Sequence, residues 1–208
     1  MIHSLVILAH GDFPSSPAAL AALDNADCVI CCDGAAELLL AHGRTPDFIT
    51  GDMDSLPDRL KERFADIIRP SSCQETNDQT KAFRLALTLN PERITILGAT
   101  GAREDHTMGN VSLLLDYVRE ASCPVSILTD YGRFEAILDS ATLPCRRGQE
   151  ISIFAFDNTL RIKSVGLEYP TDNVVFDSLW KATLNVAAAD TFTLTLSHPA
   201  GVLVYFAE

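Results

Sequence analysis

The stretch CCDGAAELLLAHGRTPDFITGDMDSL, residues 31–56, decides the fold. It contains two short apolar segments, one ending at Cys32 and the other at Thr50, and both are typical of buried β-strands. The segment between them predicts a helix that ends at Gly43, a common C-terminal stop. A strand, a helix and a second strand in this order predict one unit of an open α/β sheet.

Acidic residues follow both predicted strands directly: Asp33 follows the first, and Asp52 and Asp54 follow the second. Because ligands collect outside the carboxyl ends of strands in such a sheet, we expect these carboxylates to share one crevice. They repel one another unless a cation lies between them, and we favour Mg²⁺ carrying phosphates. The alternative is ordinary turn chemistry, in which Ser55 caps the helix that follows Pro57.

The composition is that of an ordinary globular protein. A chain of 208 residues with 47% hydrophobic residues can form one large domain or two small ones. Its 16 Lys and Arg against 28 Asp and Glu give a formal net charge of -12, which argues against binding to nucleic acid or to an anionic membrane. No apolar run reaches the roughly 20 residues that span a bilayer. The N-terminus lacks the features of a signal peptide, so we expect a cytoplasmic protein.

The six cysteines predict reduced thiols rather than disulfides or a zinc site. Cys28, Cys31 and Cys32 lie on one predicted strand, and the other three are scattered along the chain. No second pair stands at metal-binding spacing, and a strand is a poor place to bring two thiols to one ion. We therefore expect these side chains to be buried core thiols.

The pattern of the chain changes near residue 130. Before it, strands and helices alternate, which predicts an α/β fold with a mostly parallel sheet and helices on both faces. Beyond it, helical spacing disappears and short β-rich segments predict a small all-β domain, an antiparallel sandwich or barrel. The expected domains are 1–130 and 131–208.

Polar residues at predicted strand ends come from several loops of the first domain. The set consists of Asp33, Asp52, Asp54, Gln74, Asp78, Lys81, Arg103 and Asp105. Carboxylates outnumber the two cations, which come from separate loops. This combination is typical of Mg²⁺-nucleotide chemistry, in which the metal bridges phosphate oxygens and Arg or Lys takes up developing charge.

Four segments resemble, in order and spacing, the motifs of the thiamine pyrophosphokinase family. They are DGAA at 33–36, GDMDS at 51–55, QETNDQTKA at 74–82 and GAREDH at 101–106. The resemblance covers the first domain, and the change to β-rich sequence also matches the two-domain plan of that family.

The resemblance implies transfer of the diphosphoryl group of ATP to the hydroxyl of thiamine, with AMP released and Mg²⁺ required. It also implies a homodimer whose thiamine pocket lies between the first domain of one subunit and the β-domain of the other. Two rivals remain open at this point. One is a Mg²⁺-dependent nucleotide phosphohydrolase with water as acceptor, and the other is a nucleotide-binding regulatory module without turnover.

Roles follow for individual residues. The expected catalytic residues are Asp52, Asp54, Asp78, Arg103 and Asp105. Asp52, Asp54 and Asp78 are also the expected metal ligands. The expected nucleotide-binding and thiamine-binding residues are Asp33, Gly34, Gln74, Asn77, Lys81, Arg103, Trp180 and Asn185. The proton of the thiamine hydroxyl has two candidate acceptors, Asp33 and Asp105.

Several of these roles have a structural alternative. Asn77 is also the expected N-cap of the helix that begins at Asp78. Lys81 lies on an amphipathic helix, where a lysine is usually solvated. Trp180 offers an indole face for a cationic ring or packs in the core or an interface, and the two interpretations are equally supported. The histidines other than His106 show no ligand spacing and are interpreted as structural.

Overall fold

A computed structural model describes residues 1–71, 73 and 75–208 of the chain. Gln74, one of the expected binding residues, lies outside the described residues. Within the described ranges, no helix is long and apolar enough to cross a membrane. All six cysteines are free thiols, as predicted, and burial raises the pKa of Cys28 to about 11.

The first compact unit comprises residues 1–113 and 120–130 and is built on a parallel sheet. Its strands are β1 (Leu5–Leu8), β2 (Cys28–Cys32), β3 (Phe48–Gly51), β4 (Ile68–Pro70), β5 (Ile94–Leu97) and β6 (Val125–Thr129). They lie in the order β6-β5-β1-β2-β3-β4, and every pair in this series is parallel. Every residue of β1 and β2 is buried, so both faces of the sheet are covered there.

Helices alternate with these strands. Their bounds are α1 (Pro17–Asp24), α2 (Ala35–Ala41), α3 (Asp58–Arg63), α4 (Asp78–Thr88), α5 (Glu104–Ser112) and α6 (Leu114–Glu120). The helices α5 and α6 follow each other directly and are separated at Leu113. Since α5 buries no side chain whereas α6 buries Leu114 and Tyr117, different packing separates the two segments. The mostly parallel α/β architecture is confirmed.

The second compact unit comprises residues 114–119 and 131–208 and contains antiparallel strands. They are β7 (Gly132–Ile137), β8 (Ala141–Pro144), β9 (Glu150–Ala155), β10 (Ile162–Val165), β11 (Asn185–Val186), β12 (Thr191–Leu196) and β13 (Val202–Ala207). Within this unit one series runs β11-β9-β13-β7 and a separate three-stranded sheet runs β10-β12-β8.

The two sheets of this unit share one apolar core. Phe192 of β12 packs against Phe206 of β13 with ring centroids 5.9 Å apart. The predicted antiparallel sandwich is therefore confirmed. Pro144 ends the edge strand β8, where a residue without an N–H is tolerated.

The loops that follow β1 and β5 are bound to each other in the first unit. Gly11 N donates to Gly98 O at 2.8 Å, and Asp12 N donates to Thr100 O at 2.9 Å. Gly101 has φ +81°, and a Cβ there would lie 2.2 Å from Asp12 Cγ. The approach of the two loops therefore requires glycine at position 101.

We expect Gly101→Ala to lower the free energy of unfolding by about 2 kcal/mol, because a left-handed backbone and a steric overlap both oppose the new methyl group. The matched control is Gly109→Ala in α5, where a Cβ would meet no atom within 4 Å. Since alanine is the better helix former, the control should stabilise the protein by about 0.5–1 kcal/mol. Denaturant unfolding measures both changes, and equal effects would contradict the assignment of the loop contact.

Candidate functional site

The carboxyl ends of the inner strands of the first unit surround a cavity of about 470 Å³. Loops after β1, β2, β3 and β5 and the first turn of α4 contribute to its walls. The expected site residues that line it are Asp33, Asp52, Asp54, Asn77, Asp78, Lys81 and Arg103. Side chains distant in sequence thus meet at the edge of the sheet where parallel strands place their ligands.

Asp33 is the most deeply buried carboxylate of the cavity, with 2% of the residue exposed. It directly follows β2 with φ +44°, a left-handed conformation that turns the chain out of the strand. Oδ2 accepts a hydrogen bond from Ser55 N at 3.0 Å, whereas Oδ1 is buried without a partner among the described residues. Burial, followed by the neighbouring Asp54 and Asp78, raises the pKa of Asp33.

The loop after β3 brings two exposed carboxylates beside Asp33. Asp33, Asp52 and Asp54 each offer an oxygen within 4.8 Å of the others. Ser55 Oγ donates to Asp54 Oδ1 at 2.9 Å, and this bond is the main cause of the lowered pKa of Asp54. The cluster therefore combines hard oxygen donors with one buried oxygen that lacks a partner, which fits a divalent cation.

The turn-and-cap alternative for this loop is wrong in one respect. The residue at the N-terminus of α3 is Pro57, with no side-chain cap, so Ser55 does not cap that helix. Both polar groups of Ser55 instead donate to carboxylates of the acidic cluster. The loop is thus organised around its negative charges rather than around the following helix.

Asp78 and Lys81 form an ion pair in the first turn of α4. Lys81 Nζ donates to Asp78 Oδ1 at 2.8 Å, and Lys81 is 8% exposed, so the solvated-face interpretation of this lysine is wrong. Desolvation acts to lower the pKa of Lys81, but the hydrogen bond to Asp78 and the charge of Asp52 raise it overall. Lys81 is therefore charged, and Asp78 shares its carboxylate with it.

Asn77 caps α4 as expected, since its Oδ1 accepts from Thr80 N at 3.0 Å. Its Nδ2 donates to Asn110 Oδ1 at 2.9 Å, and Asn110 Nδ2 donates to Ala99 O at 3.0 Å. Asn110 thus joins the start of α4 to the loop after β5. Asn110 was not predicted as a site residue, because one asparagine on an exposed helix carries no distinctive pattern.

Arg103 and Asp105 form a two-bond ion pair. Arg103 Nε donates to Asp105 Oδ1 at 3.0 Å and Arg103 Nη2 donates to Asp105 Oδ2 at 2.5 Å. These bonds lower the pKa of Asp105 to about 2. Arg103 lines the cavity, whereas Asp105 and Gly34 are not among its described lining residues. His10 and His106 do line it, and neither was expected to.

Trp180 and Asn185 belong to the second unit. Trp180 is 71% exposed, so packing in the core of this chain is excluded. Asn185 is buried, where Oδ1 accepts from Tyr169 N at 3.2 Å and Nδ2 donates to Tyr169 O at 2.7 Å. The structure therefore gives Asn185 a local structural role, and its contact with a substrate stays a prediction.

Comparison with protein families gives two matches. Residues 19–127 match the family described as thiamin pyrophosphokinase, catalytic domain. Residues 132–205 match the family described as thiamin pyrophosphokinase, substrate-binding domain. Together these matches include all the described cavity residues except those before residue 19.

Curated relatives are similar over part of their length. Thiamine pyrophosphokinase 1 of Oryza sativa subsp. japonica is 36% identical over 117 residues, which is 44% of this chain and 44% of that protein. Thiamine pyrophosphokinase 3 of the same organism is 38% identical over 79 residues, 33% of this chain and 30% of that protein. The matched part of the chain thus spans less than half of either relative.

Solved structures share the fold over nearly the whole chain. Thiamin pyrophosphokinase from Geobacillus thermodenitrificans superposes with a TM-score of 0.79 at 24% identity, covering 98% of this chain and 97% of that one. The enzyme from Candida albicans superposes with a TM-score of 0.81 at 16% identity, covering 99% and 89%. At these identities the likeness concerns the fold alone.

We expect Asp33→Asn to raise the thermal midpoint when no divalent cation is present, by about 2–4 °C for each kcal/mol that the ionised carboxylate costs. Because the pKa of Asp33 is raised in the folded protein, the ionised carboxylate opposes folding, and stability falls as pH rises from the unfolded pKa to the folded one. Asparagine carries no charge and removes the cost of the ionised carboxylate. The stability of Asp33→Asn should therefore depend less on pH in that range.

With MgCl2, the wild type should have a higher thermal midpoint than Asp33→Asn. A cation that binds only the folded state stabilises the wild type more than a variant that lacks one ligand. The control is Asp58→Asn, because the Asp58 side chain is 91% exposed outside the cavity. Thermal unfolding with and without MgCl2 measures both effects. An equal gain from the cation in wild type and Asp33→Asn would contradict the assignment.

Proposed function

Because the chain belongs to the thiamin pyrophosphokinase family, we propose that it transfers the diphosphoryl group of ATP to the hydroxyl of thiamine. The products are thiamine diphosphate and AMP. The observation that carries this proposal is the acidic cluster of Asp33, Asp52 and Asp54, which lies in one cavity with Arg103. A cavity with carboxylates for a cation and a guanidinium for phosphate suits a nucleotide donor.

We assign the cation to Asp33, Asp52 and Asp54, and we propose that it is Mg²⁺. The unpartnered buried oxygen of Asp33 supports this set, because a carboxylate oxygen without a partner is costly unless a positive charge meets it. Asp78, expected from the sequence as a ligand, retains an oxygen that Lys81 does not engage and supports the cation from outside this set. When bound, Mg²⁺ neutralises phosphate charge and polarises the phosphorus centres.

The residues of the chain supply positioning and charge. The oxygen of the thiamine hydroxyl attacks the β-phosphorus, the bond from that phosphorus to the α–β bridging oxygen breaks, and its electron pair leaves with AMP. Arg103 binds phosphate oxygens, while Asp105 orients the guanidinium through its two bonds.

The hydroxyl proton leaves to solvent, which reaches this part of the cavity because Asp52 and Asp54 are exposed. Neither expected proton acceptor suits the role. Asp105, with a pKa of about 2, is a weak base, and Asp33 is assigned to the cation. Phosphoryl transfer depends mainly on positioning and electrostatic stabilisation, so a dedicated base is not required.

A phosphohydrolase, the alternative function, uses water as the acceptor and does not need a second unit to bind an organic acceptor. The match of residues 132–205 to a substrate-binding domain supports an organic acceptor over water. We propose that this acceptor is thiamine and that Trp180 and Asn185 belong to its site. The exposed indole of Trp180 is available to a flat cationic ring.

We propose a homodimer in which the thiamine pocket is completed by the second domain of the partner. Leu179, Trp180 and Leu184 expose large apolar side chains close together in sequence, which supports a surface that another molecule covers. The expected domains, 1–130 and 131–208, remain the proposed division, and the family matches at 19–127 and 132–205 support it. The cytoplasmic location stays a prediction.

The first test is a product assay with ATP, Mg²⁺ and thiamine. We expect thiamine diphosphate and AMP in equal amounts. Asp52→Asn should lower the rate by orders of magnitude with the fold intact, because it removes a charge that holds the cation. Asp58→Asn, a surface change in the neighbouring helix, should leave it unchanged. ADP as the sole nucleotide product, or nucleotide hydrolysis that ignores thiamine, would overturn the proposal.

The second test concerns the shared pocket. Trp180→Ala should weaken the use of thiamine about twofold to thirtyfold and spare nucleotide binding, since stacking on a cation contributes about 0.5–2 kcal/mol. Mixing Trp180→Ala chains with Asp52→Asn chains should restore part of the activity, because one site in each heterodimer then carries neither change. If heterodimers form without any recovery, each site is built within one chain.

A further inference from the structure

His10 follows β1, an inner strand of the parallel sheet, and lines the cavity together with Asp33 and Arg103. Its imidazole has no hydrogen-bond or ion-pair partner among the residues that the structure describes. The two long cations of the cavity are already engaged, since Lys81 binds Asp78 and Arg103 binds Asp105. His10 is therefore a nitrogen donor that faces the cavity without a protein partner.

Gly34 fixes the position of this ring. A Cβ at Gly34 would lie 2.5 Å from Cε1 of His10, 2.9 Å from Nε2 and 3.0 Å from Nδ1. Three nearly equal distances mean that the methyl would stand over the face of the imidazole rather than beyond its edge. The ring thus lies flat on Gly34, and its nitrogens, which bond in the ring plane, stay available.

The glycine at position 34 is required by this contact and not by the backbone. Gly34 has φ -61° and ψ -16°, ordinary helical values that any residue adopts. Its neighbour Asp33 has the left-handed conformation instead. A side chain at position 34 would therefore fit the chain but displace the imidazole.

His10 is connected to the loops that carry both charged parts of the cavity. On one side, Gly34 adjoins Asp33 of the acidic cluster. On the other side, the backbone after His10 is bound to the loop that leads to Arg103, through Gly11 N to Gly98 O at 2.8 Å. Since His10, Asp33 and Arg103 line the same cavity, we expect a phosphate chain bound by the acidic cluster and Arg103 to meet the imidazole.

We propose that His10, held flat by Gly34, donates a hydrogen bond to the β- or γ-phosphate of the nucleotide, the two phosphates that are transferred. This inference rests on the nucleotide donor of the proposed function and adds a specific contact to it. The imidazole then binds the transferred phosphates. The alternative is that its face stacks on the nucleoside.

The test is calorimetric titration with Mg-α,β-methylene-ATP, whose α–β bridge resists cleavage, and with AMP, which lacks the transferred phosphates. His10→Ala should bind the analogue roughly tenfold to hundredfold more weakly, as expected for one hydrogen bond to a charged group. It should bind AMP like the wild type. The control is His3→Ala, an exposed histidine that pairs with Glu92 outside the cavity, and it should change neither affinity.

Gly34→Ala tests the positioning separately. It should weaken binding of the analogue as His10→Ala does, and the double variant should be no weaker than the weaker single one, because both changes remove the same contact. His10→Gln, which keeps a side-chain N–H, should recover part of the affinity. Thermal unfolding of each variant verifies that the fold is retained.

Three results would overturn the inference. If His10→Ala binds the analogue as the wild type does, His10 does not contact the phosphates. If His10→Ala weakens AMP binding as much as analogue binding, the ring contacts the nucleoside instead. If the losses for Gly34→Ala and His10→Ala are additive, Gly34 does not position the ring. No thiamine is needed in this experiment. If His10→Ala binds the analogue more weakly as expected but no thiamine diphosphate forms, only the proposed function is wrong. If thiamine diphosphate forms and the variants bind the analogue like the wild type, only the inference about His10 is wrong. A wild type that binds neither nucleotide overturns both.

Discussion

The buried carboxylate of Asp33 is the constraint on which the rest of the site depends. An ionised group with 2% exposure is costly unless hydrogen bonds or opposite charges surround it, and only one of its two oxygens has a partner among the described residues. The left-handed φ of +44° adds backbone strain of about 1–2 kcal/mol. A cation bound at this oxygen would offset the electrostatic part of these costs.

The surroundings of Asp33 hold the acidic groups in place but leave that oxygen without a hydrogen-bond partner among the described residues. Gly51 at the end of β3 has φ +148°, and a Cβ there would lie 3.1 Å from Asp33 Cβ and 3.2 Å from Asp78 Cγ. Any larger residue would push apart the two carboxylates that flank it. Ser55 supplies its N–H to Asp33 and its hydroxyl to Asp54, so the loop fixes the acidic groups without neutralising them.

Features that repeat along the chain were predictable, and contacts between distant loops were not. Alternating apolar segments predicted the parallel sheet, and the topology of such a sheet placed Asp33 and Asp52 at one edge. The pairing of Lys81 with Asp78 is a local contact three residues apart on a helix, but the burial of Lys81 requires the packing of α4 against β1, β2 and β3, which no local pattern records. The flat contact of His10 with Gly34 likewise joins two loops that are distant in sequence.

The second unit was also only partly predictable from the sequence. Strand β11 has only two residues, Asn185 and Val186, too few for a period to be seen, whereas longer strands such as β13 were predictable. Trp180 could not be assigned from sequence because core and surface tryptophans look alike there, and its 71% exposure decides between them. Exposed indole surface is unfavourable in water, as an unpartnered buried oxygen is unfavourable inside a protein. Among the described residues, the buried Oδ1 of Asp33 and the exposed indole of Trp180 thus have opposite chemistries, which match the two proposed ligands, a cation with its phosphates and a flat aromatic ring.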